Sequence, residues 1–265
     1  LESVMSILDQ IVADKKIEVA HRKSLFPVSY WEASPLFERK CISLSTRLKT
    51  SRSGILAEHK RRSPSKPNIN SRLSVSEVAS GYENAGVCGM SVLTDGKYFG
   101  GSLDDLVIAR ATTQLPLLRK EFIVEEYQLF EAKAHGADLI LLIAAVLTRA
   151  QIQQLSTAAQ RLGLEVLLEV HNQEELEKSL MPSLDLLGVN NRNLKTFSVS
   201  LDTSRHLADQ IPNDFVKVSE SGISEVASIQ ELQTYGYQGF LVGENFMKTD
   251  RPGEAAQHFI NLLEQ

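Results

Sequence analysis

From residue 54 onward, eight short apolar runs alternate with eight stretches of helical periodicity over about 210 residues, and few folds accept that rhythm. The runs occupy residues 54–58, 89–94, 115–120, 137–143, 164–170, 184–190, 215–219 and 239–243. Helical patterns follow at 74–84, 102–112, 125–135, 148–162, 172–180, 200–210, 223–235 and 253–264. The runs are almost continuously apolar, as a parallel sheet covered by helices demands. Eight such units predict an α/β fold, a single (β/α)8 TIM barrel. A doubly wound open sheet is the alternative, but it usually carries a glycine-rich dinucleotide turn after an early strand. The chain has no G-x-G-x-x-G and no P-loop.

Residues 1–53 carry no strand signal. Val4, Leu8, Ile11, Val12, Lys15 and Val19 fall at helical spacing and predict an amphipathic helix over 1–23. Ser34-Pro35 predicts the start of a short second helix with Ser34 as its N-cap, whereas 44–53 reads as polar and rich in breakers. So few apolar residues cannot form their own core, so 1–53 is expected to be a helical extension of one barrel domain spanning 1–265. A net charge of -5 excludes general affinity for nucleic acid or anionic membranes, so any anion site must be local. Cys41 and Cys88 have no metal-ligand spacing, which fits a reducing cytoplasm. The start has no basic segment followed by a long apolar one, and the longest apolar run, 139–147, is too short to span a bilayer. A cytoplasmic monomer is the expectation.

In a (β/α)8 barrel, chemistry collects at the C-terminal ends of the strands. Strand 1 ends in Glu58, and alternation puts Lys60 on the same face with His59 turned away. The segment beyond brings Arg61, Arg62, Lys66 and Arg72 before the next acid, Glu77. Strand 3 ends in Lys120, strand 5 in Glu169, and strand 6 in Asn190-Asn191-Arg192, with Asn190 and Arg192 sharing a face. Taken singly, each is an ordinary ion pair or solvated strand end. Together, Glu58, Lys60, Lys120, Glu169, Asn190 and Arg192 would put two carboxylates, two ammonium groups and a guanidinium around one centre. Burial and like-charge crowding there would tune a general acid and a general base to neutral pH.

Strands 7 and 8 run into Glu220-Ser221-Gly222-Ile223 and Val242-Gly243-Glu244-Asn245. Each glycine lets backbone N–H groups approach an anion, and a short helix after strand 8 would aim its N-terminus there. These are the strands that form the phosphate corner of such barrels. Phe99, on a glycine-flanked loop, and Phe122 could wall an aromatic ring, although most aromatics are core. Trp31 reads as packing of the extension. His59, His135, His171 and His258 share no ligand spacing, so no metal site is expected.

Several stretches resemble the indole-3-glycerol-phosphate synthase family: Ala57-Glu58-His59-Lys60-Arg61-Arg62-Ser63-Pro64-Ser65, Ser91-Val92-Leu93-Thr94-Asp95, Tyr98-Phe99-Gly100-Gly101-Ser102, Leu118-Arg119-Lys120, Gly188-Val189-Asn190-Asn191-Arg192-Asn193-Leu194 and Glu220-Ser221-Gly222-Ile223. The likeness covers nearly the whole chain, including Ile7-Leu8-Asp9-Gln10-Ile11-Val12-Ala13 and Lys15. It implies ring closure, decarboxylation and dehydration of 1-(2-carboxyphenylamino)-1-deoxyribulose 5-phosphate to indole-3-glycerol phosphate, carbon dioxide and water. It implies no cofactor and no metal. Lys120 is then the acid that protonates the ketone oxygen, and Glu169 the base for dehydration. Glu58, Lys60 and Asn190 are also catalytic, with the division of proton transfers between the lysines open. Arg192, Glu220 and Ser221 would hold substrate. Gly222, Gly243, Glu244 and Asn245, with Ser63 and Ser221, mark the phosphate side, and Phe99, Phe122 and Leu194 flank the anthranilate ring. The chain departs from the family pattern at Pro67-Asn68, where a glycine is usual, and at Glu121, where aspartate is usual. It does so again at Glu244-Asn245, where small residues are frequent. A phosphoribosylanthranilate isomerase would need a cysteine base at the end of strand 1, and neither cysteine lies there.

Overall fold

The computed structural model describes residues 5–265; Leu1–Val4, and with them the expected place of Val4 on the first helix, lie outside the described residues. Eight parallel strands close into a barrel in sequence order: β1 (Ile55–His59), β2 (Gly89–Leu93), β3 (Leu117–Lys120), β4 (Leu139–Ile143), β5 (Glu165–Val170), β6 (Leu186–Asn190), β7 (Val216–Glu220) and β8 (Gly239–Val242). Pairing of β1 with both β2 and β8 closes the ring. The expected runs lie within one or two residues of these strands, and strand 7 reaches one residue further, to Glu220.

Helices α1 (Ile7–Leu25), α2 (Val28–Glu32) and α3 (Leu44–Thr50) precede β1. Around the barrel follow α4 (Val75–Ala85), α5 (Leu103–Thr112), α6 (Tyr127–Ala134), α7 (Arg149–Arg161), α8 (Gln173–Ser179), α9 (Asp202–Leu207) and α10 (Val226–Thr234). The short α11 (Glu244–Met247) and then α12 (Pro252–Leu263) complete the chain. Local chemistry sets the helix starts. Ser6, Ser74 and Thr148 form reciprocal capping boxes with Asp9, Glu77 and Gln151, which satisfy backbone N–H groups that the first turn leaves free.

Two expectations for the extension fail. The second helix starts after Pro27, not at Ser34: Pro27 is its N-cap, held in extended backbone with φ -66° and ψ 161°. The Ser34 hydroxyl instead donates to the carbonyl of Ala134. Residues 44–50 form a helix despite their polarity. Ser43 caps it locally, and the Glu165 carboxylate, 121 residues away, accepts from the N–H of Leu44. Leu44 and Leu48 then enter the barrel floor.

The extension therefore divides around the barrel. Helix α3 closes the N-terminal end of the strands, with Leu44 against Gly89 and Leu48 against Gly239. Helix α1 lies at the opposite end, where Ile7, Leu8 and Ile11 face the mouth. Inside, Leu56, Leu118, Leu139, Leu141, Leu167, Leu186, Val216, Val218 and Leu241 fill the lumen. Alternation carries four of these inward columns one step up to a polar residue, Leu56 to Glu58, Leu118 to Lys120, Leu167 to Glu169 and Val218 to Glu220, whereas the Leu141 column stays apolar at Ile143. A second apolar layer lies between strands and helices. No helix among the described residues is long and apolar enough to cross a membrane.

Candidate active site

The inward columns end in one cavity of about 170 Å³. Glu58, Lys60, Lys120, Glu169, Asn190 and Arg192 all line it. At its centre Glu58 joins two ammonium groups: Lys60 Nζ lies 3.1 Å from Oε1, and Lys120 Nζ lies 3.4 Å from Oε2. Ser91, the register partner of Glu58 on β2, donates to Oε2 at 3.0 Å. Burial pushes the Glu58 carboxyl up, but Lys120, Lys60 and Ser91 together hold it down at about 2. Burial likewise disfavours the Lys120 ammonium, and Glu58, Glu220 and Glu169 outweigh it, so Lys120 is raised and stays charged. His59 points the other way, as alternation requires, and burial depresses its ring to about 4.

Across the cavity, Asn190 Nδ2 donates to Glu169 Oε1 at 3.0 Å. His171 Nε2 lies 3.1 Å from the same oxygen. Burial would raise Glu169, but His171, Lys120 and Asn190 lower it. Glu220 goes the opposite way. Burial and the negative charge of Glu169 raise it, and Lys120, 3.6 Å away, offsets only part. The surroundings of the two carboxyls thus favour the charge on Glu169 and the proton on Glu220. Gly188 makes room for this third carboxyl, since a Cβ there would meet Glu220 Oε1 at 2.1 Å.

One end of the cavity is apolar: Phe99, Phe122, Leu194, Phe197 and Ile11 line it. Phe99 and Phe122 stand 6.0 Å apart. Both are fixed by buried carboxylates. Asp95 accepts from the Phe99 N–H, and Glu121 accepts from the Phe122 N–H. Lys15 of α1 reaches between them, 2.8 Å from Asp95 Oδ1 and 3.1 Å from Glu121 Oε1. Asp95 and Glu121 thus together tie α1 to the ring wall.

The other end opens into a polar recess lined by Ser221, Gly222, Gly243, Glu244 and Asn245, with Lys60, Lys120 and Arg192 on its inner side. Ser221 and Gly222 both have positive φ, 70° and 76°. Gly243 is in close contact with the centre: a Cβ there would lie 2.9 Å from Glu58 Oε1. Glu244 pairs with Lys66.

Three placements differ from expectation. Ser63 lines the main cavity, not the polar recess. Glu220 does not line the cavity: it is 1% exposed and lies behind the wall, against Lys120. The basic segment after β1 is largely committed to neighbouring loops. Arg61 pairs with Asp105, and Arg62 donates to the carbonyls of Gly96 and Lys97. Ser91, His171 and Lys15 joined the site unannounced. Strand alternation from Glu169 to His171, and β2 register opposite Glu58, are the signals that point to the first two. Among the described residues, no group of three or more His, Cys, Asp or Glu side chains could hold a metal ion.

Residues 8–259 match the family described as indole-3-glycerol phosphate synthase. A relative of that name from Bacteroides thetaiotaomicron is 45% identical over 258 residues, covering 97% of this chain and 99% of the relative. Another, from Polynucleobacter asymbioticus, is 43% identical and covers 94% of this chain and 97% of its own. Among solved structures, 3-hexulose-6-phosphate synthase from Salmonella typhimurium superposes with a TM-score of 0.62 at 14% identity, over 80% of this chain and 99% of that protein. That likeness concerns the barrel alone.

Proposed function

Because the chain belongs to the indole-3-glycerol phosphate synthase family, we propose that its cavity closes a pyrrole ring using only positioned acids and bases. The activity is that of a carboxy-lyase in tryptophan biosynthesis. Its substrate, 1-(2-carboxyphenylamino)-1-deoxyribulose 5-phosphate, loses carbon dioxide and water to give indole-3-glycerol phosphate.

The anthranilate ring takes the apolar end, between Phe99, Phe122 and Leu194. The phosphate takes the recess at Ser221, Gly222, Gly243 and Asn245, held mainly by backbone N–H groups. Lys66 neutralises Glu244, which removes a carboxylate charge from that recess. Arg192 and Lys60 lie between, where the carboxylate and sugar hydroxyls would fall. The ring carbon bearing the carboxylate attacks the ketone, and Lys120 delivers a proton to the ketone oxygen. Glu58 and Glu220 keep Lys120 in its acid form. The attack leaves a ring iminium, which accepts the electron pair released with carbon dioxide. A lysine ammonium, Lys60 or Lys120, then protonates the hydroxyl, which departs as water while Glu169, held ionised, removes a proton from the neighbouring carbon. Holding both ends of a flexible sugar in one pose supplies much of the rate. The chain is taken to act as one barrel domain with its helical extension, as a cytoplasmic monomer on a small-molecule substrate.

One adjacency supports this reading most. Lys120 Nζ lies 3.4 Å from Glu58 in a cavity with an aromatic wall at one end and a glycine-lined recess at the other. Purified protein given the carboxyphenylamino substrate should generate indole absorbance. No turnover of that substrate would refute the reading, and isomerisation of phosphoribosylanthranilate instead would replace it.

A further inference from the structure

We propose that His171 is a positioning residue that makes Glu169, and not Glu220, the working base of the cavity. The inference rests on the function given above and concerns what divides the roles of two buried carboxyl groups.

Glu169 and Glu220 stand at the ends of β5 and β7, both almost fully buried. Two carboxylates so close do not both ionise readily, so whichever is better solvated by donors becomes the base. Their surroundings are unequal. Glu169 Oε1 accepts from Asn190 Nδ2 at 3.0 Å, and His171 Nε2 lies 3.1 Å from it as an ion-pair contact without hydrogen-bond geometry. Both contacts use Oε1, which leaves Oε2 to the cavity that Glu169 lines. Neither oxygen of Glu220 has a hydrogen-bond donor among the described residues, and its ion-pair contact is with Lys120 at 3.6 Å. Each carboxyl has one cation in ion-pair range, Lys120 for Glu220 and the closer His171 for Glu169, and Asn190 is neutral, so the charge particular to Glu169 comes from His171.

The ring is held for that task from behind. Its Nδ1 lies 3.1 Å from Glu175 Oε2 on α8, and the same oxygen accepts the His171 backbone N–H at 2.7 Å. Asn172, which caps α8, donates to the other Glu175 oxygen at 3.2 Å. With a carboxylate at each nitrogen the ring keeps both protons. Burial disfavours that charge, and Glu169 and Glu175 outweigh it, raising the ring to about 10. The other charged groups nearby are Asp9 of α1 and Arg192 and Lys195 after β6, which line the groove outside the ring. Across the cavity, Lys120 also acts on Glu169.

A merely structural His171–Glu175 pair would affect folding and leave the base alone. The proposal predicts otherwise. His171→Asn keeps a donor and removes the charge. The acidic limb of its kcat profile should move up by about one pH unit, as loss of a cation near a carboxylate requires, while KM and kcat at neutral pH change little. Glu175→Gln, which loosens the ring without touching Glu169, should move the limb the same way by less. If His171→Asn does not fold, Glu175→Gln decides by the same shift. An acidic limb superimposable on the parent's in a folded variant overturns the proposal. Absence of turnover in the parent overturns instead the functional reading on which it rests.

Discussion

Replacing Lys15 by methionine is expected to lower the midpoint of thermal unfolding by about 6–10 °C and to raise KM more than it lowers kcat. The side chain is 1% exposed, and its ammonium meets Asp95 and Glu121, both buried, and the half-buried Glu18. Methionine keeps most of the volume and removes the charge. Glu18 retains Arg22 and solvent, so it adds little. Asp95 and Glu121 lose their shared cation, and breaking a buried ion pair from one side costs about 3–5 kcal/mol. At roughly 2 °C per kcal/mol for a chain of this size, the stated range follows. Glu121 keeps the Thr94 hydroxyl and has Arg119 at 3.7 Å, which favours the lower end. The functional effect follows from what the same carboxylates hold: the backbone of Phe99 and Phe122, and α1 with Ile11 against the ring end. Thermal melts followed by circular dichroism, with steady-state kinetics on the same samples, measure both effects. A midpoint lowered by less than about 2 °C with KM unchanged would refute the reasoning.

Two further outcomes follow. Gly222→Val should weaken competitive inhibition by inorganic phosphate about tenfold or more, because the backbone there has φ of 76° and a Cβ would meet Val199 Cγ1 at 2.4 Å; an unchanged inhibition constant would place the phosphate elsewhere. The raised His171 ring adds stability that is complete below its ordinary value of 6.5 and is lost as pH rises through about 10. The unfolding midpoint should therefore fall between pH 7 and pH 10, and a parent and a folded His171→Asn variant with identical slopes over that range would contradict the assignment.

The barrel was legible because its strands are buried on both faces and so appear as uninterrupted apolar runs, each found within two residues. The site was legible for a related reason. Period-two alternation fixes which strand-end residues share the lumen, and it placed Glu58, Lys120, Glu169 and Asn190 together from spacing alone. What escaped was set by partners distant in sequence. Helix α3 depends on the Glu165 carboxylate and on the lumen floor, neither visible in the local run 44–50. Lys15 read as one polar residue on an amphipathic helix until Asp95 and Glu121 met it. His171 was judged only as a metal ligand, whereas its chemistry comes from Glu169 two residues before and Glu175 four after. The run of cations after β1 carried no hint of its partners, which are Asp105, the carbonyls of Gly96 and Lys97, Glu244 and Asp250.

The central claim is that the ammonium of Lys120 delivers the proton on which ring closure depends. Turnover of the carboxyphenylamino substrate by Lys120→Ala, followed as indole absorbance in protein with parental thermal stability, tests it most directly. A fall of about a hundredfold or more is expected. Parental turnover in that variant would contradict the claim.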